Sequence, residues 1–125
     1  MRVITGSARG RRLRELEGLE TRPTTGKVKE ALFSVIQFDI EGRRVLDLFA
    51  GTGQLGIEAL SRGAESAVFV ERRKDALQAV RENLEACGFS DRARVVNGDA
   101  MSYLKSGEKF DLIFLDPPSV SYTHL

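Results

Sequence analysis

The residues best suited to chemistry form one glycine-rich segment, Asp47-Leu48-Phe49-Ala50-Gly51-Thr52-Gly53-Gln54-Leu55-Gly56. Gly51, Gly53 and Gly56 have the spacing G-x-G-x-x-G. Such glycines permit a tight turn and let a ligand approach the backbone, and the helix that follows offers N–H groups and positive potential. The spacing alone is a weak signal, but here it lies between a predicted strand and a predicted helix, which is the context that the motif requires. We therefore predict a ligand-binding loop.

Asp47, at the end of the preceding strand, indicates the charge of the ligand. A carboxylate is poorly suited to a neighbouring pyrophosphate, because like charges repel. It suits a ligand that carries an ammonium or a sulfonium. S-adenosylmethionine carries both, together with a carboxylate that the helix N-terminus can accept. A nicotinamide-dependent oxidoreductase that uses the same glycines is the alternative, and Asp47 counts against it.

Two further acids follow predicted strands. Glu71 ends the second strand, twenty residues after the first glycine, where a carboxylate can accept hydrogen bonds from ribose hydroxyls. It could also be a surface acid beside the basic residues that follow it. Asp99, after the third strand, could accept a hydrogen bond from an adenine amino group or cap the next helix, and these two roles are compatible.

The segment Asp116-Pro117-Pro118 ends the fourth predicted strand, at the edge where α/β sheets bind ligands. Prolines have no N–H to donate, so the preceding carbonyls stay available as acceptors. A carboxylate beside such a carbonyl offers two acceptors to an exocyclic NH₂ group. An ordinary turn is the alternative interpretation.

The elements that position these residues follow from the apolar pattern. One helix is predicted from the apolar stripe of Val28, Ala31, Leu32, Val35 and Ile36, with Lys27, Lys29 and Glu30 on the opposite, solvent-facing side. Strands at 45–49, 67–70, 93–96 and 110–115 alternate with helices at 55–62, 76–87 and 101–105. This alternation predicts a doubly wound α/β sheet.

The first residues are basic and lie outside this sheet. Residues 2–5 and 12–14 could form two short strands joined by 6–10, a hairpin-like arm. The basic residues of this region are Arg2, Arg9, Arg11, Arg12, Arg14 and Arg22. A solvated hairpin without a partner is the alternative interpretation.

Composition limits the remaining possibilities. The chain has 125 residues, 42% of them apolar and 30% charged, with a net charge of +1, which suits one packed domain. Cys87 is the single cysteine, so neither an internal disulfide nor a cysteine-based metal site can form. The sequence shows no membrane-length apolar run and no secretory signal. We expect a protein of the cytoplasm.

In their order, these motifs resemble the amino-methyltransferases with an Asp/Asn-Pro-Pro-Tyr/Phe signature. Three N-terminal segments, 2–6, 9–13 and Thr21-Arg22-Pro23-Thr24-Thr25, followed by 28–33, are similar to the bacterial small-subunit rRNA guanine-N2 methyltransferases, the RsmD-like family. The resemblance runs from Met1 to Pro118. It implies a Rossmann-like class I S-adenosylmethionine-dependent methyltransferase fold, with a small N-terminal β-hairpin arm and helix. The implied strand order is third, second, first, fourth.

The resemblance also implies roles for the residues. S-adenosylmethionine would be held by Asp47, Gly51, Gly53, Glu71 and Asp99. The N2 amine of an unstacked guanine would lie against the Asp116 carboxylate and the Pro117 carbonyl, with Pro118 completing the motif, and methyl transfer would need no metal. The phosphates of 16S rRNA, free or in an assembling small-subunit particle, would contact Arg9, Arg11, Arg12 and Arg22. The intact protein is expected to be a monomer that does not bind membranes.

The pattern departs from the family after Pro118. Ser119 stands where the family has Tyr or Phe, Tyr122 lies three residues too late, and 119–125, which includes His124, resembles a non-native tail. We expect an arm and helix at 1–42, a partial cofactor-binding core at 43–118 and that tail. With no further strands, the chain is expected to be an inactive fragment whose fourth strand is an exposed apolar edge. A non-catalytic RNA-binding fragment is the third functional alternative.

Overall fold

The structure, a computed structural model, describes residues 1–16 and 26–116. Four strands and four helices alternate after the N-terminal arm. They are α1 (Gly26–Ile36), β1 (Arg44–Leu48), α2 (Gln54–Ser61), β2 (Ser66–Glu71), α3 (Lys74–Cys87), β3 (Ala93–Asn97), α4 (Ala100–Leu104) and β4 (Leu112–Leu115), with a 3₁₀ turn at Ser90–Arg92. All strand pairs are parallel and the order is β3-β2-β1-β4. The α/β class and the order implied by the family are confirmed.

The sheet has a core on each face, because successive strand residues point to opposite sides. Val45 and Phe69 pack with Ile57 of α2 on one face. Leu46 and Val68 pack on the other face with Ala100 of α4. Asp47 follows Leu46, so it shares the α2 face with Val45. Because alternate strand residues share a face, the Asp47 carboxylate lies beneath α2, the helix that follows the glycine loop.

In the described part of the chain, β4 is an edge strand that pairs with β1 alone. Phe114 is buried, whereas the side chain of Ile113 is half exposed and that of Leu115 is 64% exposed. The expectation of an exposed apolar edge therefore agrees with the described residues.

The N-terminal arm is a hairpin with less regular pairing than the sequence predicts. The two predicted segments do pair antiparallel, but in the described residues they form one isolated bridge, Arg2 with Arg12, and not two regular strands. The turn is closed by backbone hydrogen bonds, from the N–H of Val3 to the carbonyl of Arg11 at 2.9 Å and from that of Leu13 to Met1 at 2.8 Å. Val3 and Leu13 are buried in the α2-side core. The arm is therefore packed on the sheet domain.

Helix α1 forms as predicted but faces the core with a different side. Val35 of the predicted apolar stripe is 81% exposed, whereas Lys29, predicted to face solvent, is 1% exposed. Phe33 is buried and its ring lies 5.6 Å from that of Phe114. The prediction is wrong because Lys29 has a buried acidic partner, Glu58, at 3.2 Å, which an analysis of apolar periodicity cannot detect.

A candidate cofactor edge and the arm attached to it

The glycine-rich loop turns sharply between β1 and α2. Its backbone has positive φ at Phe49 (56°), Gly51 (59°) and Gly53 (83°), and Gly53 is the N-cap of α2. A Cβ at Gly56 would lie 2.4 Å from the ring of Phe69, so only glycine lets the first turn of α2 lie directly on β2. The three glycines of the motif therefore have distinct roles in the turn and in the close packing of helix on strand.

Asp47 lies beneath this loop and is 1% exposed. Its Oδ2 accepts a hydrogen bond from the N–H of Gly56 at 3.0 Å. The pKa of Asp47 is raised to about 8: burial is the largest cause, the Gly56 hydrogen bond opposes it, and the negative charges of Asp116 and Glu71 add to it. The unfavourable charge at this edge would be relieved by a cation, as the sequence predicts for Asp47.

Glu71 braces the loop from the end of β2. Its Oε1 accepts from the N–H of Gly51 at 2.9 Å, and its Oε2 accepts from the N–H groups of Arg72 and Arg73, each at 2.9 Å. A carboxylate has about four acceptor positions, and these three bonds leave one, on Oε1. Glu71 is thus a structural part of the loop as well as a candidate ribose acceptor.

Asp99 is the N-cap of α4. Its Oδ2 accepts from the backbone N–H of Ser102 at 3.0 Å, and Oδ1 lies 3.5 Å from the guanidinium of Arg72. The Ser102 backbone hydrogen bond is the largest cause that lowers the pKa of Asp99. The capping role is confirmed, and the adenine contact stays a prediction.

The strand register brings the candidate acids to one edge. Leu48 of β1 pairs with Val70 of β2 and with Leu115 of β4, and the residues that follow these partners are Glu71 and Asp116. Asp116 is partly buried. The other candidate residues of this region, Arg22, Pro117, Pro118, Ser119, Tyr122 and His124, lie outside the described residues.

Sequence analysis missed a buried carboxylate that attaches the arm to α2. Glu58 accepts from the backbone N–H groups of Ile4 at 2.8 Å and Thr5 at 3.0 Å. It also pairs with Lys29 at 3.2 Å and with Arg62 at 2.9 Å. The one signal available in the sequence is a charged residue among the apolar residues of α2, and it does not identify partners that lie far away along the chain.

Ser61 holds the turn of the arm against the last turn of α2. Its carbonyl accepts from the N–H of Ser7 at 2.8 Å, and its hydroxyl accepts from the N–H of Ala8 at 2.9 Å. A Cβ at Gly6 would lie 1.8 Å from the Ser61 carbonyl oxygen. The arm and the helix therefore touch backbone to backbone at this point.

Asn83 of α3 joins the arm to the glycine loop and was also missed. Its Oδ1 accepts from the N–H of Arg14 at 2.7 Å. Its Nδ2 donates to the carbonyls of Arg14 at 3.2 Å and of Thr52 at 2.9 Å. The arm thus runs along α2 from the loop, at Arg14, to the helix C-terminus, at Ser61. Its basic side chains Arg9, Arg11 and Arg12 are exposed.

Residues 1–16 and 26–116 offer neither a candidate metal site nor a membrane-spanning helix. No cluster of three or more histidine, cysteine, aspartate or glutamate side chains in this part of the chain could hold a metal ion. The helices in these ranges are all too short or too polar to cross a membrane.

This parallel sheet, with a glycine loop after β1 and acids at the ends of β1, β2 and β4, has the Rossmann-like fold of the S-adenosylmethionine-dependent methyltransferases. The acidic edge fits that cationic ligand. The chain belongs to the family described as conserved hypothetical protein 95, whose model matches residues 1–123. The family resemblance is therefore confirmed.

Individual relatives agree with this assignment. The chain is 50% identical over 122 residues to YlbH of Bacillus subtilis, which covers 94% of this chain and 66% of that protein. It is 41% identical to ribosomal RNA small subunit methyltransferase D of Haemophilus influenzae over 94% of this chain and 63% of that protein. The solved structure of Escherichia coli YhhF has a TM-score of 0.86 at 41% identity, covering 98% of this chain and 66% of that chain. The chain thus spans about two thirds of the length of these relatives.

Proposed function

We propose that this protein transfers a methyl group from S-adenosylmethionine to the exocyclic N2 amine of a guanine in 16S rRNA. The observation that carries the proposal is the acidic edge formed by Asp47, Glu71 and Asp116, in a chain that resembles a ribosomal RNA small subunit methyltransferase. Three acids around a glycine loop suit a ligand with positive charge and do not suit a dinucleotide pyrophosphate. We propose residues 43–118 as the cofactor-binding core and 1–42 as an RNA-binding extension, in a cytoplasmic, monomeric protein.

The cofactor would lie across the ends of β1, β2 and β3. The backbone at Gly51 and Gly53 permits close approach, and Glu71 keeps one acceptor position for a ribose hydroxyl. Asp99 would accept from the adenine amino group with Oδ1, since Oδ2 is used in the helix cap. When bound, S-adenosylmethionine supplies an electrophilic methyl group. Asp47 balances the positive charge of this ligand from beneath the loop.

The target amine would be oriented by acceptors at the end of β4. The Asp116 carboxylate and the Pro117 carbonyl would each accept one N–H of the amine, so that its lone pair points toward the cofactor, and Pro118, which has no N–H, would leave the Pro117 carbonyl available. Positioning of this kind supplies most of the rate enhancement when the electrophile is already reactive. No step requires a metal ion.

The basic arm would hold the RNA backbone. Arg9, Arg11 and Arg12 are exposed on a hairpin that is fixed to α2, and Arg22, outside the described residues, is proposed to bind RNA with them. Cations on a fixed scaffold bind phosphates with a strong dependence on salt. The substrate would be free 16S rRNA or the assembling small-subunit particle.

Methyl transfer by variants at the two ends of β4 tests the catalytic part. The test protein is residues 1–116 continued by the C-terminal third of the Bacillus subtilis relative. Asp116→Ala should abolish methylation of small-subunit rRNA and leave cofactor affinity within about threefold, because Asp116 is assigned to the amine. The matched control is Asp111→Ala. Asp111 directly precedes the same strand, at the end opposite the acidic edge formed by Asp47, Glu71 and Asp116. Wild-type turnover in Asp116→Ala would contradict the proposed role.

Binding experiments test the remaining parts separately. Calorimetry should show binding of S-adenosylmethionine and its demethylated product but not of NAD, and Glu71→Ala should weaken binding of S-adenosylmethionine by about 1.5–3 kcal/mol.

Replacing Arg9, Arg11 and Arg12 by Ala should flatten the dependence of log RNA affinity on log salt by up to roughly 0.7 per lost contact with single-stranded RNA. An unchanged slope with lower thermal stability would show that these arginines act in folding.

A further inference from the structure

We infer that Asn83 is a positioning residue that couples RNA held on the arm to cofactor held in the glycine loop. This inference rests on the proposed function, because it assigns RNA to the arm and S-adenosylmethionine to the loop. It adds a connection between the two sites, and it assigns that connection to a side chain that would contact neither ligand.

The geometry that carries the inference is a single amide shared by two backbone segments. One donor and the acceptor of Asn83 pair with the N–H and carbonyl of the same residue, Arg14, as a neighbouring strand would. The second donor goes to the carbonyl of Thr52, between the first two glycines of the motif. Asn83 is 2% exposed, so water cannot replace these bonds readily when one segment moves.

The other contacts of the arm are made with α2 and not with the glycine loop. Glu58 and Ser61 tie the arm to α2, beyond the loop. Beside Asn83, the Thr52 hydroxyl lies 3.8 Å from the Met1 sulfur, a weaker contact. Among the contacts described, the strong hydrogen bonds between the arm and the loop therefore pass through the Asn83 amide.

The consequence is thermodynamic coupling. The amide is rigid, so a displacement of Arg14 either breaks a buried hydrogen bond or moves the Thr52 carbonyl. RNA that fixes the arm would therefore fix the loop in the same conformation that the cofactor requires, and the second ligand would bind with less loss of freedom. Coupling of this kind is reciprocal, so cofactor should strengthen RNA binding by the same factor.

The test measures the affinity of the 125-residue chain for the demethylated cofactor, with and without saturating RNA. The probe is an RNA stem-loop of about 20 nucleotides with an unpaired guanine in the loop, since single-stranded loops expose bases for recognition. Using the demethylated cofactor prevents turnover during titration. We expect RNA to raise cofactor affinity at least about fivefold in the wild-type chain.

Two variants separate coupling from structural support. Asn83→Asp keeps the size and the acceptor for Arg14 but, when ionised, loses both donors, including the one to Thr52. For this variant we expect the ratio of cofactor affinity with RNA to cofactor affinity without RNA to fall to about one. Ser61→Ala loosens the other end of the same arm without touching the loop, and it should keep the wild-type ratio. A wild-type ratio in Asn83→Asp, or loss of the ratio in both variants, would overturn the inference.

A measurement on the wild-type chain covers the case in which Asn83→Asp fails to fold. Amide hydrogen exchange of residues 51–54 should slow when RNA binds in the absence of cofactor. Unchanged exchange there, with RNA bound, would overturn the coupling. If neither ligand binds, the proposed function itself fails, whereas binding of both with a ratio of one contradicts the role of Asn83 alone.

Discussion

Asp47→Asn should abolish a proton release that accompanies cofactor binding. Because burial and neighbouring acids raise the pKa of Asp47 to about 8, its carboxyl is about nine-tenths protonated at pH 7. A cationic ligand favours the ionised carboxylate. Binding of S-adenosylmethionine at pH 7 should therefore release about 0.9 proton, and affinity should rise by nearly tenfold from pH 6 to pH 7 and level off above pH 8.

Calorimetry in two buffers measures this release directly. Titrations at pH 7 in phosphate and in Tris differ in observed enthalpy by the number of protons released, because the two buffers have different ionisation enthalpies. The Asn variant has the shape of the protonated acid, and its side-chain carbonyl can still accept from the N–H of Gly56. We expect no proton release from this variant and an affinity that does not change with pH, so that the difference from wild type grows as pH rises from 6 to 8.

The same pKa predicts how stability depends on pH. In the ligand-free protein the folded state binds more protons than the unfolded state between the unfolded pKa of 3.8 and the folded pKa of about 8. The contribution of Asp47 to stability is therefore complete below the lower value and falls as pH rises through this window, by at most about 1.4 kcal/mol per pH unit. Asp47→Asn should be more stable than wild type at pH 8. Cofactor binding without proton release in the wild type, or an identical pH profile in the variant, would refute the reasoning.

Other substitutions test the attachment of the arm and the packing of α2. Glu58→Gln should lower the free energy of unfolding by about 3–5 kcal/mol in urea titrations, because it leaves buried cations without their partner, and Lys29→Met should cost less, because Glu58 keeps its other donors. Gly6→Ala should increase protease cleavage of the arm, since its Cβ would overlap the Ser61 carbonyl; cleavage at the wild-type rate would argue against this packing. Gly56→Ala should lower the melting temperature and weaken cofactor binding together, because α2 must move off β2; loss of only one would contradict a shared cause.

The sheet and its loop could be predicted because their signals are local. Strands β1 to β3 agree with their predicted positions to within about a residue at each end, and the glycine motif lies at the predicted strand-to-helix turn. The Asp99 cap was also predictable from its position before a short helix. In each case neighbouring residues carry the whole signal.

The attachment of the arm could not be predicted because its partners are distant. Lys29 looked solvent-facing on its own helix, and its burial depends on Glu58, which the sequence places 29 residues away. Asn83 lies in an amphipathic helix and has no distinguishing signal in the sequence, because its role depends on Arg14 and Thr52. Apolar periodicity detects which side of a helix is apolar. It cannot detect a buried polar side chain whose partners come from another segment of the chain.

The long separation between the arm and its partners also favours late docking of the arm during folding. The hydrogen bond from Ile4 to Glu58 spans 54 residues, and that from Arg14 to Asn83 spans 69, whereas the paired strands β1 and β2 are 22 residues apart. Closing the longer loops costs more chain entropy, and no contact offsets that cost until the loop has closed. During synthesis the arm is made before α2 and α3, so its contacts with Glu58 can form only after α2 exists and those with Asn83 only after α3 exists. The surface assigned to RNA is therefore completed only after the loop assigned to the cofactor exists.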